Sequence, residues 1–369
     1  MISNNKTLLS NANVLLFHFR ETKFKELPVY HSDDQIWIFY LTESPIHTCS
    51  NIWEYSCPLD KYDYLFNWTA TYLPQSDILI QDSSFHRIKS KYFQNITSSY
   101  SLMNTMPPIN SYQKEYSKGK KGLAVTVMSN CFTNNLRIKY ISDIRNHVSS
   151  IQHNIKYANS RSLDIHGACS LFFSARPRLC LTPEDVGNST HQQPDCLIRF
   201  ISRYKFYLAF ENSNCAHYVT EKMYRALLAG VVPVVFGARY SDYARVAPPF
   251  SFIYVASPLG KKWDRIMGKE FQNDTSTRNR NQQVPKNHPY FHTNNLKELA
   301  RYLLVLDSND TLYNKYHSWR KYYAMGPDPA KDNNYLCQIC RHLHLNDIPN
   351  KSYKLSDWWN KKRDCQPYT

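Results

Sequence analysis

One stretch, residues 203–239, limits the fold of this chain more than any other. Tyr204 to Phe210 is a largely apolar and aromatic run of strand length, and Glu211 to Tyr218 is polar without helical periodicity. Thr220 is placed to cap a helix, Met223 and Leu227 lie four apart on one face, and Gly230 stands where a left-handed residue closes a helix. Val231 to Phe236 is a second strand, closed by Gly237, and its lack of polar alternation suits a parallel strand covered on both faces. Strand, loop, helix and strand make a βαβ unit, in which ligands bind beyond the carboxyl ends of the strands. The chemistry should therefore sit between Glu211 and Lys222. A helix N-terminus with a lysine in its first turn favours a diphosphate, because unpaired N–H groups, the helix dipole and the ammonium all attract negative charge. Glu221 is placed to accept hydrogen bonds from ribose hydroxyls. The same residues also read as an ordinary helix start, with Glu211 and Glu221 as caps and Lys222 solvated.

At 369 residues the chain is too long for one ordinary domain and suits two of about 150 residues. Its net charge of +15 is dispersed, with small clusters at Lys118–Lys121, Lys261–Arg265 and Arg278–Lys286. A nucleic-acid protein would concentrate that charge or carry a binding motif, and neither is present. Ten cysteines and seven Asn-x-Ser/Thr sequons, at Asn5, Asn67, Asn95, Asn188, Asn273, Asn309 and Asn350, point to an oxidising, glycosylating compartment. Cys337-Gln-Ile-Cys340, with His342 and His344 after it, is either half a zinc site or a disulfide pair; a second ligand pair at finger-like spacing is missing. No run of about 20 apolar residues and no signal-peptide pattern occurs.

Upstream, Asn13–Phe19 and Gln35–Leu41 read as strands, the second followed by Thr42-Glu43-Ser44-Pro45. A carboxylate there is placed for general-base work, or it caps a turn set by Pro45. Trp68 and Tyr72 read as core or as a sugar-stacking face. Residues 84–121 form a long polar connection, and Ser117–Lys121 marks a domain boundary. Gly122–Met128 opens the second domain as a strand, and a helix with Arg137 follows; that arginine is a phosphate ligand or a solvated helix charge. Leu163–Cys169 is a short strand with a glycine turn, residues 259–288 form a basic insertion, and Leu299, Leu303 and Leu306 fall at helical spacing.

Phe-Tyr-Leu-Ala-Phe-Glu-Asn-Ser (206–213), Tyr-Val-Thr-Glu-Lys (218–222) and Val-Pro-Val-Val-Phe-Gly-Ala (232–238) resemble the donor-binding signature of the alpha-1,3-fucosyltransferases, glycosyltransferase family 10. Glu-Ser-Pro-x-His-Thr (43–48) and Phe-Asn-Trp-Thr (66–69) resemble the family's acceptor-domain motifs. The resemblance implies a GT-B fold, two Rossmann-like α/β domains facing across a cleft. Residues 1–120 would form the N-terminal acceptor-binding domain, 121–330 the C-terminal GDP-fucose-binding domain and 331–369 a cysteine-containing tail. Asn13–Phe19 is similar to the second strand of the acceptor domain, so the first strand would be missing, leaving an open edge.

The resemblance further implies that Asn212, Tyr218, Glu221 and Lys222 contact the nucleotide sugar, that Arg137 grips its diphosphate and that Glu211 lies beside the fucose. Glu43 would be the general base of an inverting transfer to the 3-hydroxyl of a GlcNAc in an N-glycan or lactosamine-type glycan. The alternative is a catalytically silent glycan-binding relative, against which the intact Glu43, Arg137, Glu221 and Lys222 argue. No Asp-x-Asp motif stands at a strand end, so no metal or other cofactor is expected, manganese being at most stimulatory. Ser-Asn-Cys (129–131), Gly-Ala-Cys (167–169) and Asp-Trp-Trp (357–359) look like the branch that modifies the core GlcNAc, although His166 replaces a tyrosine of the family pattern. The resemblance also implies a type II protein of the Golgi lumen, with an N-terminal membrane anchor expected outside these residues, and a cystine at the C-terminal Cys-x-x-Cys. Asn67, inside a motif, is expected to be too packed for glycosylation.

Overall fold

The computed structural model describes residues 5–29, 34–49, 58–81, 85–87, 115–154, 161–172, 194–256, 292–326, 334–345, 351–360 and 364–365. The basic insertion 259–288 lies outside them, as does Cys180, which the sequence reads as a disulfide partner of a nearby thiol in a loop over 176–196. In chain order the strands are β1 (Val14–His18), β2 (Ile36–Leu41), β3 (Trp68–Thr71), β4 (Ile78–Leu79), β5 (Phe85–Arg87), β6 (Gly122–Val127), β7 (Leu163–His166), β8 (Tyr204–Phe210), β9 (Val232–Phe236), β10 (Ile253–Val255), β11 (His292–Thr293) and β12 (Tyr323–Met325). The helices are α1 (Arg137–Asn154), α2 (Pro194–Ile201), α3 (Glu221–Leu228), α4 (Tyr240–Val246), α5 (Leu296–Ser308), α6 (Asp310–Lys315), α7 (Tyr335–Leu345) and α8 (Leu355–Trp358). Among the described residues no helix is long and apolar enough to cross a membrane.

The chain is α/β and divides into two compact units, each holding one parallel sheet, as two Rossmann-like domains require. Unit 1 comprises Met1–Asp82, Cys215–Tyr218 and Pro327–Thr369, and unit 2 comprises Ser83–Asn214 and Val219–Gly326. Compactness thus changes over at Asp82–Ser83 rather than near residue 120, because β5 pairs antiparallel with β12 inside unit 2. Residues 331–369, read from sequence as a separate tail, are counted with unit 1.

In unit 1 the strands run β1-β2-β3-β4, all parallel, with β1 at the edge. Asn67 extends the pairing of β2 and β3: its N–H donates to the Trp37 carbonyl at 2.9 Å, and its Oδ1 accepts from the Trp37 N–H at 2.8 Å. Trp68 and Tyr72 are buried, so both belong to the core. Trp359, also buried, packs on Phe39 and Tyr72 and donates from Nε1 to Thr48 Oγ1 at 2.7 Å.

Unit 2 is a six-stranded parallel sheet in the order β11-β10-β9-β8-β6-β7. Every residue of β8 and β9 is buried, which explains why neither strand alternates in polarity. Phe206, Leu208 and Phe210 face one layer with Ile141, Ile144 and Leu303 of α1 and α5, while Tyr207 and Ala209 face the other with Met223, Leu227 and Tyr243 of α3 and α4. The helical spacing of Met223 with Leu227, and of Leu299 with Leu303 and Leu306, marks the buried faces. Gly230 closes α3 with a φ of +67°, a conformation that costs a glycine little.

Near the amino end of β8, Lys205 is buried to 1% exposure and needs partners there. Its Nζ donates to Asp307 O at 2.7 Å and to Asp310 Oδ1 at 2.8 Å, and Arg161 also meets Asp307 Oδ1 at 2.7 Å. Removing one member of a buried pair strands the other charge, which costs about 3–5 kcal/mol. Lys205→Ala should lose stability in that range in equilibrium urea unfolding; a loss under about 1 kcal/mol, the range of exposed pairs, would contradict the assignment.

Candidate functional site

The strand order of unit 2 reverses at β6, which has β7 on one side and β8 on the other. Such a reversal opens a crevice beyond the carboxyl ends of the two central strands, because their connections leave in opposite directions. The segments lining it are the one after β6, Met128 to Leu136, and the one after β8, Glu211 to Asn214, and side chains cross-tie them. Asn135 donates from Nδ2 to the Glu211 carbonyl at 2.8 Å and to Asn214 Oδ1 at 3.0 Å. Arg137, the first residue of α1, donates from Nη1 to Phe210 O at 2.9 Å and from Nη2 to Asn130 O at 2.7 Å. Arg137 is 3% exposed, so it is not a solvated helix charge; its fork spans the ends of β6 and β8. A disulfide, Cys131–Cys169, joins the segment after β6 to the one after β7. There Gly167 has a φ of +85°, and a Cβ on it would stand 2.4 Å from the Met128 carbonyl oxygen, so only glycine fits.

Glu211 follows β8 and is completely buried. Its Oε1 accepts from the Thr220 N–H at 2.9 Å and the Thr220 hydroxyl at 3.0 Å, and its Oε2 accepts from Lys222 Nζ at 2.9 Å. Thr220 occupies the N-cap position of α3 yet makes no side-chain cap bond, because its hydroxyl serves Glu211 and receives Lys222 Nζ at 2.7 Å. Gly237 closes β9 with a φ of +133°, and a Cβ there would lie 2.7 Å from Glu211 Cβ. Asn212 is buried, its Oδ1 accepting from Ser213 Oγ at 3.0 Å. Glu221, half exposed, accepts from Arg225 Nη1 at 3.1 Å and lies 3.7 Å from Lys222 Nζ.

Burial pushes the Glu211 carboxyl up from its ordinary value, and the Lys222 ammonium opposes this only in part. Burial acts to lower Lys222, but Glu211 and Glu221 outweigh it and hold the ammonium above its ordinary value. For Glu221 burial acts upward and is outweighed by Lys222 and Arg225, which leave it below its ordinary value. Burial and then the charge of Glu211 hold the Tyr243 phenol well above its ordinary value. The result is a compact set of charges at the start of α3, an eight-residue helix whose first N–H groups and dipole add to the attraction for an anion.

In unit 1, Glu43 lies two residues past the carboxyl end of β2. Its Oε1 accepts from Arg20 Nη1 at 3.1 Å and its Oε2 from the Tyr218 hydroxyl at 3.0 Å. Both Glu43 and Arg20 keep some exposure, 28% and 33%, so the carboxylate is held without being sealed. Tyr218 is buried against Tyr72, with ring centroids 5.2 Å apart, and the Cys215–Cys365 disulfide fixes its short segment.

Of the sequence-predicted residues, unit 2 therefore brings together Arg137, Glu211, Asn212, Glu221 and Lys222, and unit 1 holds Glu43 with Tyr218. Sequence reasoning gave no role to Arg20, Asn135 or Tyr243. Arg20 could have been found, since it follows β1 as Glu43 follows β2. Cys337 and Cys340, expected as a cystine, are exposed on α7 and not joined to each other. Among the described residues no group of three or more His, Cys, Asp or Glu is arranged to hold a metal ion.

Known proteins resemble this chain in sequence. The family described as "Glycosyltransferase family 10 (fucosyltransferase) C-term" matches residues 117–258 and 275–359, and "Fucosyltransferase, N-terminal" matches 1–82. Glycoprotein 3-alpha-L-fucosyltransferase A of Drosophila melanogaster is 28% identical over 99% of this chain and 55% of its own. Alpha-(1,3)-fucosyltransferase 4 of Mus musculus is 28% identical over 89% of this chain and 56% of its own. Alpha-(1,3)-fucosyltransferase 7 of Bos taurus is 30% identical over 68% of this chain and 57% of its own. The chain thus spans little more than half the length of these curated relatives. A crystal structure of an alpha1,3-fucosyltransferase with GDP-fucose aligns over 78% of this chain and 67% of its own, with a TM-score of 0.36 and 16% identity.

The raised Glu211 carboxyl fixes the sign of a pH effect. Folded Glu211 holds its proton more tightly than the unfolded residue, so its contribution is fully present below the ordinary value of 4.5 and is lost as pH rises through the folded value. The stability of the wild type relative to Glu211→Gln, measured by urea unfolding across pH 4 to 8, should fall as pH rises. A difference that grows with pH would contradict the burial argument.

Proposed function

Because the chain belongs to glycosyltransferase family 10, the fucosyltransferases, we propose that it transfers L-fucose from GDP-fucose to the 3-hydroxyl of a GlcNAc residue in a glycoprotein glycan. The carrying observation is the reversal of strand order at β6, with the segments after β6 and β8 cross-tied by Arg137 and Asn135 and a lysine at the start of α3. A nucleoside diphosphate suits that crevice, where the Lys222 ammonium and the N-terminus of α3 would offset charge developing on the departing GDP. Arg137 and Asn135 keep the segments in place before the donor arrives, so little reorganisation is needed during transfer. Their present bonds run to carbonyls and to Asn214, which makes them positioning residues in the first instance.

Glu43 is the general base of this reading. Arg20 and Tyr218 hold its carboxylate in place from two sides, leaving the acceptor hydroxyl's proton a destination while the donor's carbon is attacked from the side opposite GDP. That geometry inverts the anomeric centre. Divalent cations have no assigned role, since the lysine and the helix terminus supply the positive field. The likeness of Ser-Asn-Cys (129–131), Gly-Ala-Cys (167–169) and Asp-Trp-Trp (357–359) to the core-modifying branch favours the core GlcNAc of N-glycans over outer-arm lactosamine. The Cys131–Cys169 and Cys215–Cys365 disulfides suit the Golgi lumen, and a membrane anchor N-terminal to these residues belongs to the same reading.

The test is transfer from GDP-fucose, in EDTA, to a core N-glycopeptide and to a lactosamine oligosaccharide, with Glu43→Gln alongside. Transfer should occur without metal and favour the glycopeptide, and Glu43→Gln should fall by about 10²- to 10⁴-fold with donor affinity unchanged. Full activity in Glu43→Gln would remove the assigned base, and tight donor binding without transfer by the wild type would favour a silent relative.

A further inference from the structure

Three of the seven sequons fall on described residues, those of Asn5, Asn67 and Asn309, and their environments in the fold differ. Asn309 stands between two helices, ending α5 and capping α6, with an extended backbone at φ −128° and ψ 91°. Its Oδ1 accepts the Leu312 N–H at 3.0 Å, which leaves the nitrogen of the same amide at the opposite corner of the group. Asn309, Asp310 and Thr311 are all exposed. Asn67 is the opposite case. Its Oδ1 and backbone N–H are both bonded to Trp37, at 2.8 and 2.9 Å, inside the pairing of β2 with β3. Its neighbours Phe66 and Trp68 are buried, and the sequon's own Thr69 is fully buried with its hydroxyl on Asp77 Oδ2 at 3.0 Å.

From these environments we infer that Asn309 carries an N-linked glycan and that the Asn67 sequon stays unmodified. The inference rests on the lumenal reading given above. In the modification a bond forms between Nδ2 and C1 of the sugar of a lipid-diphosphate-linked oligosaccharide. The amide nitrogen gives up one proton and the lipid diphosphate leaves. The carbonyl Oδ1 is untouched, so the glycosylated residue still caps α6. A glycan on Asn67 would instead have to occupy packed volume between β2 and β3. The glycan on Asn309 also leaves the donor crevice open. Asp310, the next residue, is bonded to Lys205 at the amino end of β8, and Glu211 follows the carboxyl end, about 20 Å along the strand. Glycosylation there covers the side of unit 2 remote from the carboxyl ends of its strands.

The test is peptide mass mapping of the protein purified from its own cells, after release with a peptide N-glycosidase that tolerates core fucose, in heavy-oxygen water. Conversion of Asn309 to labelled aspartate with Asn67 unlabelled is the expected result. Label on other sequons but not on Asn309, or label on Asn67, overturns the inference and leaves the compartment intact. No label on any sequon overturns both. In cells secreting the chain, Asn309→Gln and Thr311→Ala should each lose the mass of one glycan and keep transfer activity. Thr311→Ala abolishes the sequon while leaving the Asn309 cap, so a folding defect confined to Asn309→Gln cannot masquerade as loss of the glycan. An unchanged mass in Thr311→Ala overturns the inference.

Discussion

A carboxylate with no exposed surface must be met by donors inside the protein, because a stranded buried charge costs several kcal/mol. Glu211 is in that position, and its answer organises the region around it. The Thr220 N–H and hydroxyl and the Lys222 ammonium tie the end of β8 to the start of α3, so the connection between them cannot wander. The same demand reaches β9, where Gly237 has no side chain to press on Glu211, and the segment after β6, where Asn135 holds the Glu211 carbonyl. The positive field that a diphosphate would meet is thus built as a by-product of burying one acid.

That connection serves both units of the chain. Glu211 and Asn214 belong to unit 2, and Cys215–Tyr218, a few residues on, belong to unit 1, where Tyr218 donates to Glu43 and Cys215 is bonded to Cys365. One stretch of backbone therefore supplies the buried acid of unit 2 and the phenol that orients the candidate base of unit 1. Within unit 1 the logic is electrostatic and mild. Arg20 supplies charge, Tyr218 supplies direction, and partial exposure keeps the carboxylate reachable.

Much of the framework was legible because single residues carry it. The unbroken burial of β8 and β9 shows in their composition, the buried face of α3 shows in Met223 and Leu227, and the helix end shows in Gly230. What was not legible is what other parts of the chain do to a residue. Arg137 reads locally as a helix-surface charge, but Phe210, 73 residues away, buries it. Thr220 fits the local rule for a cap, yet the tertiary demand of Glu211 takes its hydroxyl. The partnership of Glu43 with Tyr218 spans 175 residues, and the Cys215–Cys365 bond spans 150, distances at which no pattern in sequence speaks. The expected Cys337–Cys340 cystine rested on the oxidising compartment and on likeness, and the two side chains are not joined on α7.

The central claim is that the crevice at the strand-order reversal, floored by Glu211 and Lys222, receives the nucleotide. Amide hydrogen exchange with and without GDP tests it most directly. The account predicts added protection in residues 128–137 and 211–222 and none in α5 or α6. Unchanged exchange in both segments at saturating GDP, or protection concentrated on α5 and α6, would contradict it.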